Sequence, residues 1–381
     1  MRTAKLKDIT LTITDGKHGD CKNHDGSGYY FISCKDVYDE TMHYENARQI
    51  TEDDFRDADR RTNLAAYDIL ITNSGTIGRM ALVKDIPETR KTTFQKSVAI
   101  VRADTSQVVP NYLYYLLKSK VHDFINSSNG SAQKNLLLST MRDFDISFVD
   151  SFETQHRIAT IFSRYDSLLE NYQNQIKLLE EAAQRLYKEW FVDLRFPGHE
   201  NTNIIDGVPE GWEKKKVGEI TPIITGKKDA NFGTPNGEYP FFTCSQEPIK
   251  APSFSFDCAA VLLAGNGDFN VKLYRGRFEA YQRTYVLSPY IDSHLYLLFY
   301  TISANMTKLA AGSSGSTIKF LTKGMIDGIN LNVPNDKILR SFNKKVEPIQ
   351  SSRESLQSQL RLLTEARDRL LPKLMSGEIT I

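Results

Sequence analysis

The chain has 381 residues, 25% charged and 40% hydrophobic, which allows two or three ordinary globular cores at about 100–200 residues each and excludes disordered and collagen-like classes. Lys and Arg number 48 against 47 Asp and Glu, a net charge of +1, so no global basic field steers the chain to nucleic acid and any such contact has to be local. Four scattered cysteines, Cys21, Cys34, Cys244 and Cys258, make no disulfide framework; with no apolar leader and no run of about 20 apolar residues, a soluble cytoplasmic protein is expected.

In chain order, the first half opens at Lys5-Leu6-Lys7-Asp8-Ile9. Short β-rich runs at 67–72 and 98–102 are broken by Gly, Asn and Ser turns. Asn111, after Pro110, caps a helix through Lys120. A different kind of segment follows at 153–191: Ile158, Phe162, Tyr165, Leu169, Tyr172, Ile176, Leu179, Ala183, Leu186 and Trp190 step by four and three, a coiled-coil seam. Between them lie Arg164, Asp166, Glu170, Lys177, Glu180, Arg185 and Lys188, a mixed solvated face. Such a helix spans roughly 58 Å, too long to hide in a unit of about 140 residues whose radius of gyration is roughly 14 Å.

The second half repeats this order. Strands are expected at 260–263 and 285–287, and Asp292, after Pro289, caps a helix through Ile302. Its closing helix keeps Phe342, Ile349, Leu356, Leu363 and Leu370 in a seven-residue line, with Val346, Leu360 and Leu374 filling the seam and Arg353 and Arg367 interrupting it. Pro348 should kink its first turns or split off a short leading helix.

The repeat is legible residue by residue. Glu181, Ala182, Arg185 and Leu186 recur as Glu365, Ala366, Arg369 and Leu370 at an offset of 184. Gly130-Ser131 with Lys134 matches Gly315-Ser316 with Lys319, and Phe94-Gln95-Lys96 matches Tyr281-Gln282-Arg283. Ile69-Leu70-Ile71-Thr72 with Gly75 matches Val261-Leu262-Leu263-Ala264 with Gly267. The offset reaches 211 at Lys216-Val217-Gly218-Glu219-Ile220, so the first half carries extra residues, mostly before Tyr67. The expected architecture is mixed α/β (α+β): similar globular domains at 1–150 and 199–335, joined by long helices at 151–198 and 336–381 that pair antiparallel about a pseudo-twofold axis.

Two related but different heads on a rigid spacer suit a target with two different marks at fixed separation, and double-stranded DNA, whose major groove returns every ~34 Å, is such a target. Local charge agrees. Arg79, Lys84, Arg90, Lys91, Lys96 and Arg102 cluster in the first half, and Lys227, Lys228, Lys272, Arg275, Arg277 and Arg283 in the second. They adjoin the turns Asn73-Ser74-Gly75-Thr76 and Asn266-Gly267-Asp268; Ser74, with Gln133, Lys134 and Lys319 of the Gly-Ser turns, joins the candidate DNA contacts. The acidic stretch 52–59 should face away from DNA.

Other readings stay open at this point. A protein-protein adaptor would use the seam alone, through Ile158, Phe162, Leu169, Ile176, Leu186, Trp190, Phe342, Ile349, Leu356, Leu363, Leu370 and Leu374. A self-sufficient methyltransferase or nuclease needs catalytic residues, and no Asn-Pro-Pro-Tyr-like segment or glycine fingerprint is found. Residues 312–319 lack phosphate-loop spacing. His18, Cys21, His24 and Cys34 offer metal-ligand atoms without a tight paired motif and read as loop residues.

Leu370-Leu371-Pro372-Lys373-Leu374-Met375-Ser376-Gly377-Glu378-Ile379, Val208-Pro209-Glu210-Gly211-Trp212, and Asp68-Ile69-Leu70-Ile71-Thr72 with Ser74-Gly75-Thr76-Ile77-Gly78 resemble the specificity (DNA-recognition) subunits of type I restriction-modification enzymes over essentially the whole chain. The first half departs from the pattern in lacking its own Pro-Glu-Gly-Trp. The resemblance implies two target recognition domains reading a bipartite site, with no cofactor in this chain. Methyltransferase subunits, two in number, dock on the helices and modify adenine with S-adenosylmethionine, and restriction translocase-nuclease subunits use ATP and Mg.

Overall fold

The computed structural model describes residues 1–128, 135–313 and 319–381. The chain forms two compact units, Met1–Tyr172 with Gln359–Ile381, and Gln173–Ser358.

In the first unit, β1 (Arg2–Lys5) pairs antiparallel with β9 (Asp145–Phe148). The central sheet has the order β2-β8-β5-β6, from Thr10–Asp15, Val98–Ala103, Ile69–Thr72 and Met80–Leu82. A smaller sheet sets β3 (Tyr30–Ile32) between β4 (Arg48–Gln49) and β7 (Thr92–Phe94), the latter parallel. Strand periodicity sends alternate side chains to opposite faces. Ile69 and Ile71 enter one core with Ala99 and Val101, while Leu70 enters another with Val98 and Ile100. Both faces are covered, which is why 69–72 reads as an unbroken apolar run.

The helices are α1 (Glu52–Thr62), α2 (Pro110–Ser119), α3 (Val121–Asn126), α4 (Leu138–Arg142) and the start of α5 (Phe152–Tyr187). Thr51 caps α1 by accepting from the Asp54 amide, and its acidic first turn and basic last turn complement the helix dipole. Ile158 and Phe162 of α5 share the larger core with Leu113, Leu116 and Leu117 of α2 and with Leu371, Leu374 and Met375 near the chain's end.

The second unit repeats the plan. β10 (Glu213–Lys216) pairs with β17 (Asn330–Val333). The central sheet runs β11-β16-β14-β15-β12-β13, from Ile224–Thr225, Thr284–Leu287, Phe256–Ala264, Val271–Ala280, Tyr239–Phe242 and Ile249–Ala251. Here β15 is one long strand that pairs with β14 along its length and with β12 at its end, where the first unit interrupts it with residues 83–91 between β6 and β7. Helices α6 (Val217–Ile220), α7 (Leu295–Ala311) and α8 (Lys323–Asp327) complete the fold; α7 starts three residues after Asp292 and runs well past Ile302. The last turn of α5 passes into a π-turn at Lys188–Val192. There Tyr187, Trp190 and Phe191 join Trp212 and Phe342, with Phe191 edge-on to Phe342 at 4.7 Å and Trp190 at 5.9 Å from it.

The last helix, α9 (Asp336–Ser376), is one element through Pro348, so of the two expected outcomes no short leading helix is split off. Proline forfeits the amide bond to residue 344, a cost of about 3 kcal/mol in a helix interior. Its neighbours outweigh that: Pro348 is exposed, whereas Phe342, Val346 and Gln350 are buried, and the Gln350 amide donates to the Tyr300 hydroxyl. Within this unit α5 and α9 run antiparallel, since Glu180 meets Arg353 while Trp190 meets Phe342.

The seam is unevenly buried. Ile158, Phe162, Leu169, Trp190, Phe342 and Leu374 are buried, whereas Ile176, Leu186, Ile349, Leu356, Leu363 and Leu370 are half-buried. No helix among the described residues is long and apolar enough to cross a membrane. Phe342→Ala, which opens a cavity beneath Trp190, Phe191 and Tyr300, should destabilise the second unit by about 3–5 kcal/mol in denaturant unfolding.

Candidate nucleic-acid interface

Three segments meet beside the central sheet in each unit. In the first, the Lys17 amide donates to the Phe94 carbonyl at 2.8 Å, Lys96 donates back to the Lys17 carbonyl at 3.1 Å, Asn73 donates to Ser97 at 3.0 Å, and Leu136 donates to Asn73 at 2.8 Å. In the second, Gln282 donates to Lys228 at 2.9 Å, Gly265 to Arg283 at 2.8 Å and Leu321 to Gly265 at 2.8 Å. The isolated bridges repeat as well: Lys17 with Gln95 and Ser74 with Asn135, then Lys228 with Tyr281 and Asn266 with Phe320. Each unit thus holds a clasp in which the turn after β5 or β14 is pinned between two other loops.

Close approach dictates the glycines. A Cβ at Gly16 would lie 2.0 Å from the Phe94 carbonyl oxygen, and one at Gly226 would lie 1.8 Å from that of Ala280. The turns themselves need left-handed backbone, with φ of 75° at Gly75 and 68° at Gly267. Neither the Gly16 and Gly226 pair nor the correspondence of Lys17 with Lys228 was singled out from sequence, although both sit near the 211-residue offset.

The clasp corrects one alignment. Gln95 stands where Tyr281 stands, and Lys96 where Gln282 does. Arg283 therefore matches Ser97, not Lys96. Asp54 and Asp57 of α1, in the acidic stretch, hold the Lys17 ammonium at 3.5 and 3.0 Å, so this helix borders the first clasp.

The sequence-level basic clusters divide by what each side chain meets. Ser74 is half-buried on the first clasp, with Lys96 exposed on it. Arg79, also exposed, has its carbonyl bonded to the Thr72 amide beside that turn. Lys84 leaves the other end of the β5–β6 hairpin and pairs with Glu170 at 3.0 Å; it stands five positions beyond Arg79 across β6, roughly 17 Å if extended. Lys91 lies over the Tyr29 ring at 5.6 Å, Arg90 is exposed beside it, and Arg102 is committed to the buried Asp68 at 2.6 Å.

In the second unit, Lys227 is exposed, Lys228 lies over Phe232 at 4.4 Å, and Arg283 and Lys319 are exposed beside the Asn266 turn. Lys272 is half-buried with its ammonium on the Ser245 carbonyl at 2.8 Å, and burial lowers its pKa. Arg275 donates to the Tyr296 hydroxyl at 2.7 Å and Arg277 to Asp257 at 3.2 Å. Among the described residues, Arg79, Arg90, Lys96, Lys227, Arg283 and Lys319 meet no carboxylate. Gln133 and Lys134 lie outside the described residues.

The Cys-His segment has its own contacts: His18 bonds Asp15 at 3.1 Å, and Cys21 is buried against Phe31, Ile50 and Phe55. Among the described residues no group of three His, Cys, Asp or Glu side chains is placed to hold a metal ion. Gly226→Ala should lower the stability of the second unit by about 1–3 kcal/mol, read as an earlier urea transition, because the methyl has only backbone to push against.

The family model described as the type I restriction modification DNA specificity domain matches residues 3–181 and 209–351. The type I restriction enzyme EcoDI specificity subunit of Escherichia coli is 36% identical over 177 residues, 45% of this chain and 40% of that protein. The MjaIX specificity subunit of Methanocaldococcus jannaschii is 27% identical over 395 residues, 94% of this chain and 89% of its own. In fold, the chain is similar to the S subunit of a type I restriction-modification system from M. genitalium, with a TM-score of 0.65 at 17% identity, covering 98% of this chain and 96% of that one. With the family model spanning both halves, the chain belongs to the type I restriction-modification DNA specificity family.

Proposed function

We propose that each unit reads one half of a split, asymmetric DNA site and that the chain directs the chemistry of partner subunits without catalysing any itself. The observation that carries this reading is the duplicated clasp. The same backbone bonds hold the same turn in both units, while the side chains around it differ: Ser74, Gln95, Lys96 and Ser97 in one, Asn266, Tyr281, Gln282 and Arg283 at the matching places in the other. A shared scaffold with changed side chains reads different bases on equivalent backbones, because base edges are distinguished by Arg, Lys, Asn and Gln, and phosphate contacts only set position. Adenine methylation with S-adenosylmethionine is then the work of two methyltransferase subunits, and ATP- and Mg-dependent translocase-nuclease subunits complete restriction.

A long-read map of adenine methylation in the host, with and without the gene, tests this. Loss of one split motif on deletion is expected; an unchanged map contradicts the reading. Complex binding to DNA should also weaken about 10³–10⁵-fold between 50 and 200 mM salt if 6–10 phosphates are contacted, whereas a purely apolar adaptor would scarcely respond. Arg283→Ala should cost roughly 1–3 kcal/mol of binding and relax the second half-site alone. Arg277→Ala, whose guanidinium is already held by Asp257, should leave both half-sites unchanged.

A further inference from the structure

Arg367 interrupts the seam of α9 yet has only 9% of its side chain exposed. It meets Asp166 of α5 at 2.9 Å, Glu40 at 3.0 Å and its neighbour Asp368 at 3.0 Å, all within the first unit. Asp166 also accepts from the Tyr115 hydroxyl of α2 at 2.6 Å. Glu40 takes a second cation, the Lys118 ammonium at 2.6 Å, whose side chain is 15% exposed. Three acids, two cations and a phenol thus converge from α2, α5, α9 and one hairpin.

That hairpin pairs Val37 with Met42 and Tyr38 with Thr41, and its turn residues Asp39 and Glu40 are both left-handed, with φ of 47° and 61°. Asn-Gly, Asp-Gly or Gly-Gly takes such a turn with little strain; here the second position is Glu40, a side chain that the left-handed region disfavours. What holds Glu40 there is its pair of cations. The hairpin lies in the stretch between Lys17 and Asn73, where the first unit carries extra residues. The place in α5 that matches Arg367 at the 184-residue offset is Ala183, fully buried among apolar side chains. The arginine is therefore absent from the repeated seam.

A charged residue in a helix seam lowers stability against an apolar one, but it fixes register because its burial is tolerated only where carboxylates meet it. We propose that Arg367 is a positioning residue. It latches the inserted hairpin through Glu40 and the spacing helix through Asp166, so that the first clasp keeps one orientation on its own helix segments and the permitted gap between half-sites is held to one length. This rests on the DNA reading proposed above.

The test is the methylation map of hosts carrying the complete system with Arg367→Met or Glu40→Gln. Sites whose gap is one base pair longer or shorter should gain methylation by roughly tenfold, equivalent to about 1.4 kcal/mol of relaxed orientation penalty, with the bases of both half-sites unchanged. Fewer methylated sites with the gap still strict would overturn the latch and leave Arg367 a stabilising residue only. Glu40→Gln lies outside the helix seam and keeps the test decisive should Arg367→Met fail to assemble. A wild-type map without a split motif would overturn the DNA reading and the latch with it, which separates the two failures.

Discussion

The structure depends on a constraint of length. A 36-residue helix and a 41-residue helix, each with an apolar seam, offer more hydrophobic surface than one small core can cover. Burial is divided accordingly: Ile158 and Phe162 with Leu371 and Leu374 in the first unit, Trp190 and Phe191 with Phe342 and Val346 in the second. Neither unit has a core without segments of both helices. Packing of these ends, not local propensity, carries the helices, and it is strong enough for α9 to continue through Pro348.

Duplication accounts for the rest of the architecture. Each unit builds the same strand pairings and the same clasp, and the differences gather where they leave the clasp intact: the extra segment between Lys17 and Asn73, and residues 83–91, which split into two strands what is a single β15 in the other unit. At Gly16 and Gly226 a side chain would be driven into backbone, so these two positions of the clasp do not tolerate one. Loops on a rigid scaffold are where recognition can change without loss of the fold.

Charge follows the same logic at shorter range. With a net charge of +1, many of the basic side chains are used within the fold: Arg102 on Asp68, Arg277 on Asp257, Lys17 on Asp54 and Asp57, Arg353 on Glu180. Lys96 and Arg283, which meet no carboxylate among the described residues, sit on the clasps. The surface available to an anionic partner is thus narrower than the number of basic residues suggests.

The sequence alone was enough for the two-fold repeat, the long seams and the β-rich runs at 67–72 and 98–102, which form strands at 69–72 and 98–103, because periodicity is a local property that burial imprints on every turn and every second residue. The family resemblance was legible in contiguous segments for the same reason. Tertiary structure alone decided what the individual charges do. Arg79 and Lys84 look alike as a basic cluster, yet strand direction carries them to opposite ends of one hairpin, and only a long-range contact gives Lys84 to Glu170. The one-residue slip that pairs Lys96 with Gln282 and the meeting of Arg367 with Glu40 across 327 positions were equally out of reach, since each depends on which distant backbone or side chain lies alongside.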